Sequence, residues 1–236
     1  MKILALESSA KAASCAVLSD GIPLACAWQA TGLTHSRTLL PMVQEMLRSS
    51  ELTLADMDAI AIAAGPGSFT GLRIGIATVK GLSWAADKPC IGVSTLEGMA
   101  HPLRHLDGII VCAMDARRSQ IYNAVFLAVD GTLTRLREDR AISLEDAAAD
   151  IRNFDGPITI VGDGASLCHE YFTNAGISCT LAPAHLRQQS ALGAAMAAEA
   201  AGMDAAVSAQ DLAPVYLRLS QAERERLARE NAEQNR

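Results

Sequence analysis

The sequence holds no apolar run near the roughly 20 residues needed to cross a bilayer, no C-x-x-C pair, and no excess of basic charge. Each absence removes a class. Glu7 follows only a short apolar stretch in the opening MKILALESS, so nothing marks the chain for a membrane or for export. The six cysteines, Cys15, Cys26, Cys90, Cys112, Cys168 and Cys179, are scattered and fall mostly in apolar runs. A disulfide framework is therefore not expected, and a reducing cytoplasm is. A formal net charge of −6 and a pI near 5.4 argue against a basic footprint able to hold nucleic acid unaided, so any RNA would be met through a partner. What is there is ample for a core: 236 residues, 50% hydrophobic, enough for one large domain or two small lobes.

Periodicity gives strands at 2–8, 14–19 and 22–28, the last two joined by Asp20-Gly21, a favoured tight hairpin turn. In SRTLLPMVQEMLRSS, Leu39, Val43, Met46 and Leu47 share one helical face, with Pro41 tolerated near the first turn. A buried strand at 57–63, a helix over 71–86, a strand at 89–94 and a helix start at TLEGMAHPLRH follow. From 109 the order restarts, with a strand at 109–115, two strands around Asp130-Gly131, a helix at 143–151 capped by Ser143, a strand at 157–162 and a helix at 166–176. Three strands, helix, strand, helix thus occurs twice. Two such halves facing each other across a cleft are the plan of the duplicated actin-like, ribonuclease-H-like ATPase fold, an α/β architecture. The expected lobes are 1–106 and 107–218, the alanine-rich helix at 189–202 is expected against the second half, PVYLR (214–218) reads as extended, and 219–236 as a flexible polar tail.

The chemistry turns on the loop GPGSFTG. Gly65, Gly67 and Gly71 give G-x-G-x-x-x-G, which matches neither a P-loop nor a dinucleotide fingerprint, and Lys80 stands two helical turns too far on. Glu7, Ser8 and Ser9, in the first hairpin turn, occupy the place that meets phosphates in actin-like enzymes, but no glycine there lets a pyrophosphate approach. These three are candidate nucleotide-proximal residues, with a hydrogen-bonded turn as the favoured reading. Gly71, Gly75 and Thr78 form a small-residue stripe on the helix, beside an apolar stripe of Leu72, Ile76 and Val79. Each interior glycine costs roughly 0.5–1 kcal/mol against alanine, so a close neighbour should offset it. That neighbour is either the first helix of this chain or a helix of a partner. His101 and His105 have helical i, i+4 spacing, but Pro102 lies between them and no acidic neighbour completes a metal shell, so a solvated helix end is expected. His35 and Ser36 are expected to cap the first helix.

Taken together, ILALESS, HSRTLLPMVQEML, AAGPGSFTGLRIGIATVKGLSWA, IGVSTLEGMA, MDARRSQIY and PVYLR resemble the bacterial TsaB family, formerly YeaZ, from residue 1 to about 218. The resemblance implies a noncatalytic partner subunit in tRNA threonylcarbamoyladenosine biosynthesis. Its catalytic relative, TsaD, transfers the threonylcarbamoyl group to N6 of adenosine 37 in tRNAs reading codons that begin with A. TsaD-like enzymes carry H-L-E-G-H where this chain has Thr95-Leu96-Glu97-Gly98-Met99, and hydroxyl and thioether are poor substitutes for two imidazoles at a divalent ion. The resemblance thus implies no metal or catalytic residue here, with ATP, ADP and metal held by the partner subunits. It also implies pairing with TsaD through helices of the first lobe, joined by the ATPase TsaE, with tRNA met through the complex. The expected contact residues are Leu39, Met42, Val43 and Met46 of the first helix, with Gly71, Leu72, Gly75 and Thr78 of the second. An independent ATP-dependent phosphotransferase is the rival reading, and pairing of the chain with itself stays open.

Overall fold

A computed structural model describes residues 1–117 and 119–218; the expected polar tail from 219 lies outside the described residues. Three strands open the chain, β1 (Lys2–Glu7), β2 (Ala13–Ser19) and β3 (Ile22–Gln29). The helix α1 (His35–Ser49), strand β4 (Ala59–Gly65), helix α2 (Phe69–Ala86) and strand β5 (Cys90–Ser94) follow. They form one five-stranded sheet in the order β3-β2-β1-β4-β5, with β1 antiparallel to β2 and parallel to β4. The short helix α3 (Thr95–Ala100) leads into the second set, β6 (Gly108–Asp115), β7 (Gln120–Val129), β8 (Thr132–Ser143), α4 (Leu144–Ile151), β9 (Ile158–Val161), α5 (Ala165–Asn174) and β10 (Thr180–Leu181). Its sheet runs β8-β7-β6-β9-β10, the same order and the same sense. This is the duplicated ribonuclease-H-like arrangement of the actin-like fold. The hairpin turns expected from Asp-Gly hold: Asp20 and Asp130 lie at φ 48° and 50°, followed by Gly21 and Gly131 at 77° and 76°.

Alternation along each central strand divides the core. Leu4 and Leu6 of β1 face α1 and α2, while Ile3 and Ala5 face the opposite side. What covers that opposite side is α6 (Ala191–Ala201), whose Ala191, Ala194, Ala195, Ala197 and Ala198 are buried against β1, β2 and β4. The expectation that the alanine-rich helix packs on the second half is corrected: it crosses back to the first. Conversely, α3 places Leu96, Met99 and Ala100 against Ile110, Cys112 and Phe126 of the second sheet. The two helices cross where Gly98 and Gly193 meet, backbone against backbone, with no room for a side chain at Gly193. After α6 the chain stays with the first sheet, pairing Val207 with Cys90 and burying Leu212.

Candidate functional site

Between the halves lies a cleft of about 830 Å³, lined by the turn after β1 (Ser9, Ala10, Lys11), the start of α2 (Gly67 to Thr70), the turn after β6 (Asp115 to Arg117), Asp163 and residues 215–218. The two turns are equivalent positions in the two halves. Of the three candidate nucleotide-proximal residues, only Ser9 reaches the cleft wall. Glu7 and Ser8 are buried beneath it.

The glycine loop explains why. Ser9 C=O accepts from the Ser68 amide at 2.6 Å, and Ser8 Oγ donates to the Gly71 carbonyl at 2.9 Å. A Cβ on Gly67 would strike Ser9, on Gly71 the Ser8 carbonyl, and on Gly75 the Ser8 hydroxyl and Ile62. The space that a glycine-rich loop leaves for a phosphate is taken here by the chain's own Ser8-Ser9 turn. Ser68 caps α2 by accepting from the Gly71 amide at 3.3 Å.

Under this turn Glu7 is cut off from water, and burial pushes its carboxyl up to about 7 against the opposing pull of the hydrogen bonds from Ser9. The Ser9 amide donates to Glu7 Oε1 at 2.5 Å. Across the cleft floor Asp163 is likewise raised by burial, opposed by Gln189, whose Nε2 donates to its Oδ1 at 3.1 Å. Among the described residues no three His, Cys, Asp or Glu side chains group closely enough to hold a metal.

The Thr95 to Met99 stretch lies inside the molecule. Thr95 is buried with its hydroxyl unpartnered, and Met99 belongs to the apolar layer between α3 and the second sheet. Glu97 is held below the ordinary carboxylate range by His101 and then by Arg135, whose Nη2 donates to it at 2.6 Å. His101 is therefore no solvated helix end: it is buried, 3.8 Å from Glu97, while His105 is exposed. His35 and Ser36 do not cap α1 either. Thr34 holds the cap position, and His35 Nε2 bonds the Ala10 carbonyl at 2.8 Å, tying the helix to the cleft turn.

The expected contact surface needs the largest correction. Leu39, Val43, Met46 and Leu72 are buried in the first half's own core, and Gly71 and Gly75 are pressed against Ser8. A partner cannot reach them without opening the fold. Met42 and Thr78 are half-buried, and Thr78 Oγ1 is engaged by the Ile74 carbonyl. The outward face of α2 is a different stripe, Arg73, Ala77, Gly81 and Trp84, all exposed, with Trp84 at 71%. Among the described residues nothing stands within 4 Å of where a Cβ on Gly81 would lie. Beside α2, α1 turns Leu40 outward. Spacing alone does not tell which side of a helix meets the sheet, and Gly71 and Gly75 lie on the inward side. The signal that was available is the apolar stripe Leu72, Ile76 and Val79, which fixes the inward face.

A family model described as TsaD, tRNA N6-adenosine threonylcarbamoyltransferase, matches residues 29–226. The chain is 31% identical over 227 residues to the Bacillus subtilis tRNA threonylcarbamoyladenosine biosynthesis protein TsaB, covering 94% of this chain and 96% of that protein. The Escherichia coli TsaB is 35% identical over 167 residues, 70% of this chain and 72% of its own length. Among solved structures, YeaZ from Pseudomonas aeruginosa superimposes with a TM-score of 0.76 at 28% identity, covering 92% of this chain and 99% of that one.

Proposed function

This chain belongs to the TsaB family, and on that premise we propose that it serves tRNA threonylcarbamoyladenosine biosynthesis as a noncatalytic subunit that docks a TsaD-like transferase on the outward face of α2. The observation that carries the docking reading is Gly81. A glycine within a helix costs roughly 0.5–1 kcal/mol against alanine. Gly71 and Gly75 offset it by close packing inside the chain, whereas no described residue packs against Gly81. With Ala77 one turn before it and the exposed Trp84 after it, Gly81 leaves a shallow seat beside an aromatic anchor. A helix of another chain can approach such a seat closely.

Three features support the noncatalytic part. The Ser8-Ser9 turn fills the glycine loop, Thr95 and Met99 are buried away from the cleft, and Glu7 lies below the cleft wall. In this reading ATP, ADP and metal are bound by the partner subunits, a TsaE-like ATPase joins the pair, tRNA is reached through the assembly, and the setting is the cytoplasm. Alone, the chain would use the same α2 face to pair with itself. No helix among the described residues is long and apolar enough to cross a membrane. The kinase reading asks the cleft turn to hold phosphates, and that turn is already occupied by the chain's own backbone bonds.

Reconstitution of the tRNA modification from purified subunits tests this. Product should form only when this chain accompanies the transferase, and the chain alone should show none. Turnover by the isolated chain would overturn the reading.

A further inference from the structure

Residues 214–218 run across the mouth of the cleft and are fixed at both ends. On the first half, the Val215 amide donates to the Ala64 carbonyl at 2.8 Å, and the Val215 carbonyl lies so close to Gly65, at φ 137°, that no side chain fits there. Next, Tyr216 stacks on Phe69 with ring centroids 4.5 Å apart and planes 25° from parallel. Its hydroxyl accepts from Arg73 Nε at 3.0 Å, and the same guanidinium lies 3.9 Å above the Phe69 ring. On the second half, Arg218 Nη1 donates to the Ala116 carbonyl at 2.6 Å, in the turn after β6. Val215, Tyr216, Leu217 and Arg218 all line the cleft.

We propose that residues 214–218 are a latch that holds the two halves together across the cleft, with the Phe69, Tyr216 and Arg73 stack as its catch and the Arg218 bond to Ala116 as its bolt. The geometry fits this role better than that of a simple cover. Tyr216 and the Arg73 guanidinium both contact the Phe69 ring and hydrogen-bond to each other, a triad worth more than its area alone. Among the described residues the direct hydrogen bond from the segment to the second half goes to the backbone of a cleft turn, where side chains of that half could be exchanged without loss. Both attachments are at the surface, since Tyr216 and Arg73 are exposed and Arg218 is half-buried, so the latch can open without disturbing either core. Opening it would separate the lips at Lys11 and Arg117. The inference does not rest on the docking reading, because every contact in it lies within one chain.

Amide hydrogen exchange on the full chain, read residue by residue by NMR, tests it. Two amides report: Val215, bonded to the Ala64 carbonyl, and Ala116, bonded to the Gln120 carbonyl in the turn after β6. In Tyr216→Ala, exchange at Val215 and Ala116 should rise about tenfold or more, while amides of β1 and β4 keep wild-type rates. Tyr216→Phe keeps the stack and should stay within about threefold of wild type at both. Arg218→Ala should raise Ala116 while leaving Val215 protected, and as a substitution outside both cores it decides the matter if Tyr216→Ala loosens the whole fold. Unchanged exchange at Ala116 in Arg218→Ala overturns the proposal, as does a rise in Tyr216→Ala that stops at Val215: the segment would then cover the cleft without holding it.

Discussion

At the N-terminal end of α2, Gly71 and Gly75 are pressed against the Ser8-Ser9 turn and Ile62; near its other end, Gly81, beside Trp84, meets none of the described residues. All three sit in one helix of 18 residues and carry the same intrinsic penalty. They differ in what stands opposite. The first two let a helix lie directly on a strand turn of its own chain, and any Cβ there meets backbone or a buried side chain. The third meets no described neighbour in this chain, which is why the proposed docking seat is placed there. The glycines of α2 thus serve two different faces, and burial separates those that build the fold from the one left exposed.

The comparison predicts effects of opposite sign along one helix. Gly75→Leu should be the most damaging, destabilising the isolated chain by about 3 kcal/mol or more, because the new side chain has to displace Ser8 and Ile62 in a close-packed layer. Urea unfolding measures it, and a folded Gly75→Leu chain of wild-type stability would erase the distinction. Next comes Glu7, beneath the turn those glycines hold. Its folded carboxyl keeps a proton up to about pH 7 where the ordinary value is 4.5. The folded state therefore binds more protons than the unfolded state between those limits, and stability falls as pH rises through that window. Above pH 7 the loss reaches about 3 kcal/mol, an order-of-magnitude figure from the size of that shift. Glu7→Gln keeps an oxygen for the Ser9 amide and removes the charge, so unfolding should show it more stable than wild type at pH 8 and nearly equal at pH 5. An equal difference at both values would contradict the burial argument. Smaller still, Gly81→Ala should stabilise the isolated chain by about 0.5–1 kcal/mol, by thermal or urea unfolding, since the methyl group meets no neighbour. Least of all, Trp84→Ala should change monomer stability by no more than about 0.5 kcal/mol, because its side chain already stands in solvent.

Much of the fold was legible because its signals are local. Asp20-Gly21 and Asp130-Gly131 announce their hairpins by the backbone they require, and the restart of the strand pattern at 109 shows the duplication. What was hidden depended on distant partners. The alanines of α6 are apolar all round, so no stripe says which sheet they cover, and the helix sits on the first half instead of the second. Strand β10 spans only two residues, Thr180 and Leu181, too few for any period to register. His35 and His101 read as helix-end residues, yet each ring is drawn inward by one acceptor remote from the local pattern or across a turn, the Ala10 carbonyl and Glu97. The candidate site followed the same rule. That small residues on α2 invite close approach was readable from spacing; that the approach at Gly71 and Gly75 is made by Ser8, some sixty residues earlier in the chain, was not.

Gly81→Gln, compared with wild type, tests the central claim most directly. Glutamine is a good helix former, position 81 is exposed and a Cβ there meets no described residue, so the monomer should unfold at wild-type urea concentrations or higher. Sedimentation of the same variant with the TsaD-like transferase subunit should show association weakened by about tenfold or more, the size expected when one close helix contact is blocked. Wild-type association by a fully folded Gly81→Gln chain would contradict the account, and would leave the outward face of α2 without the role assigned to it.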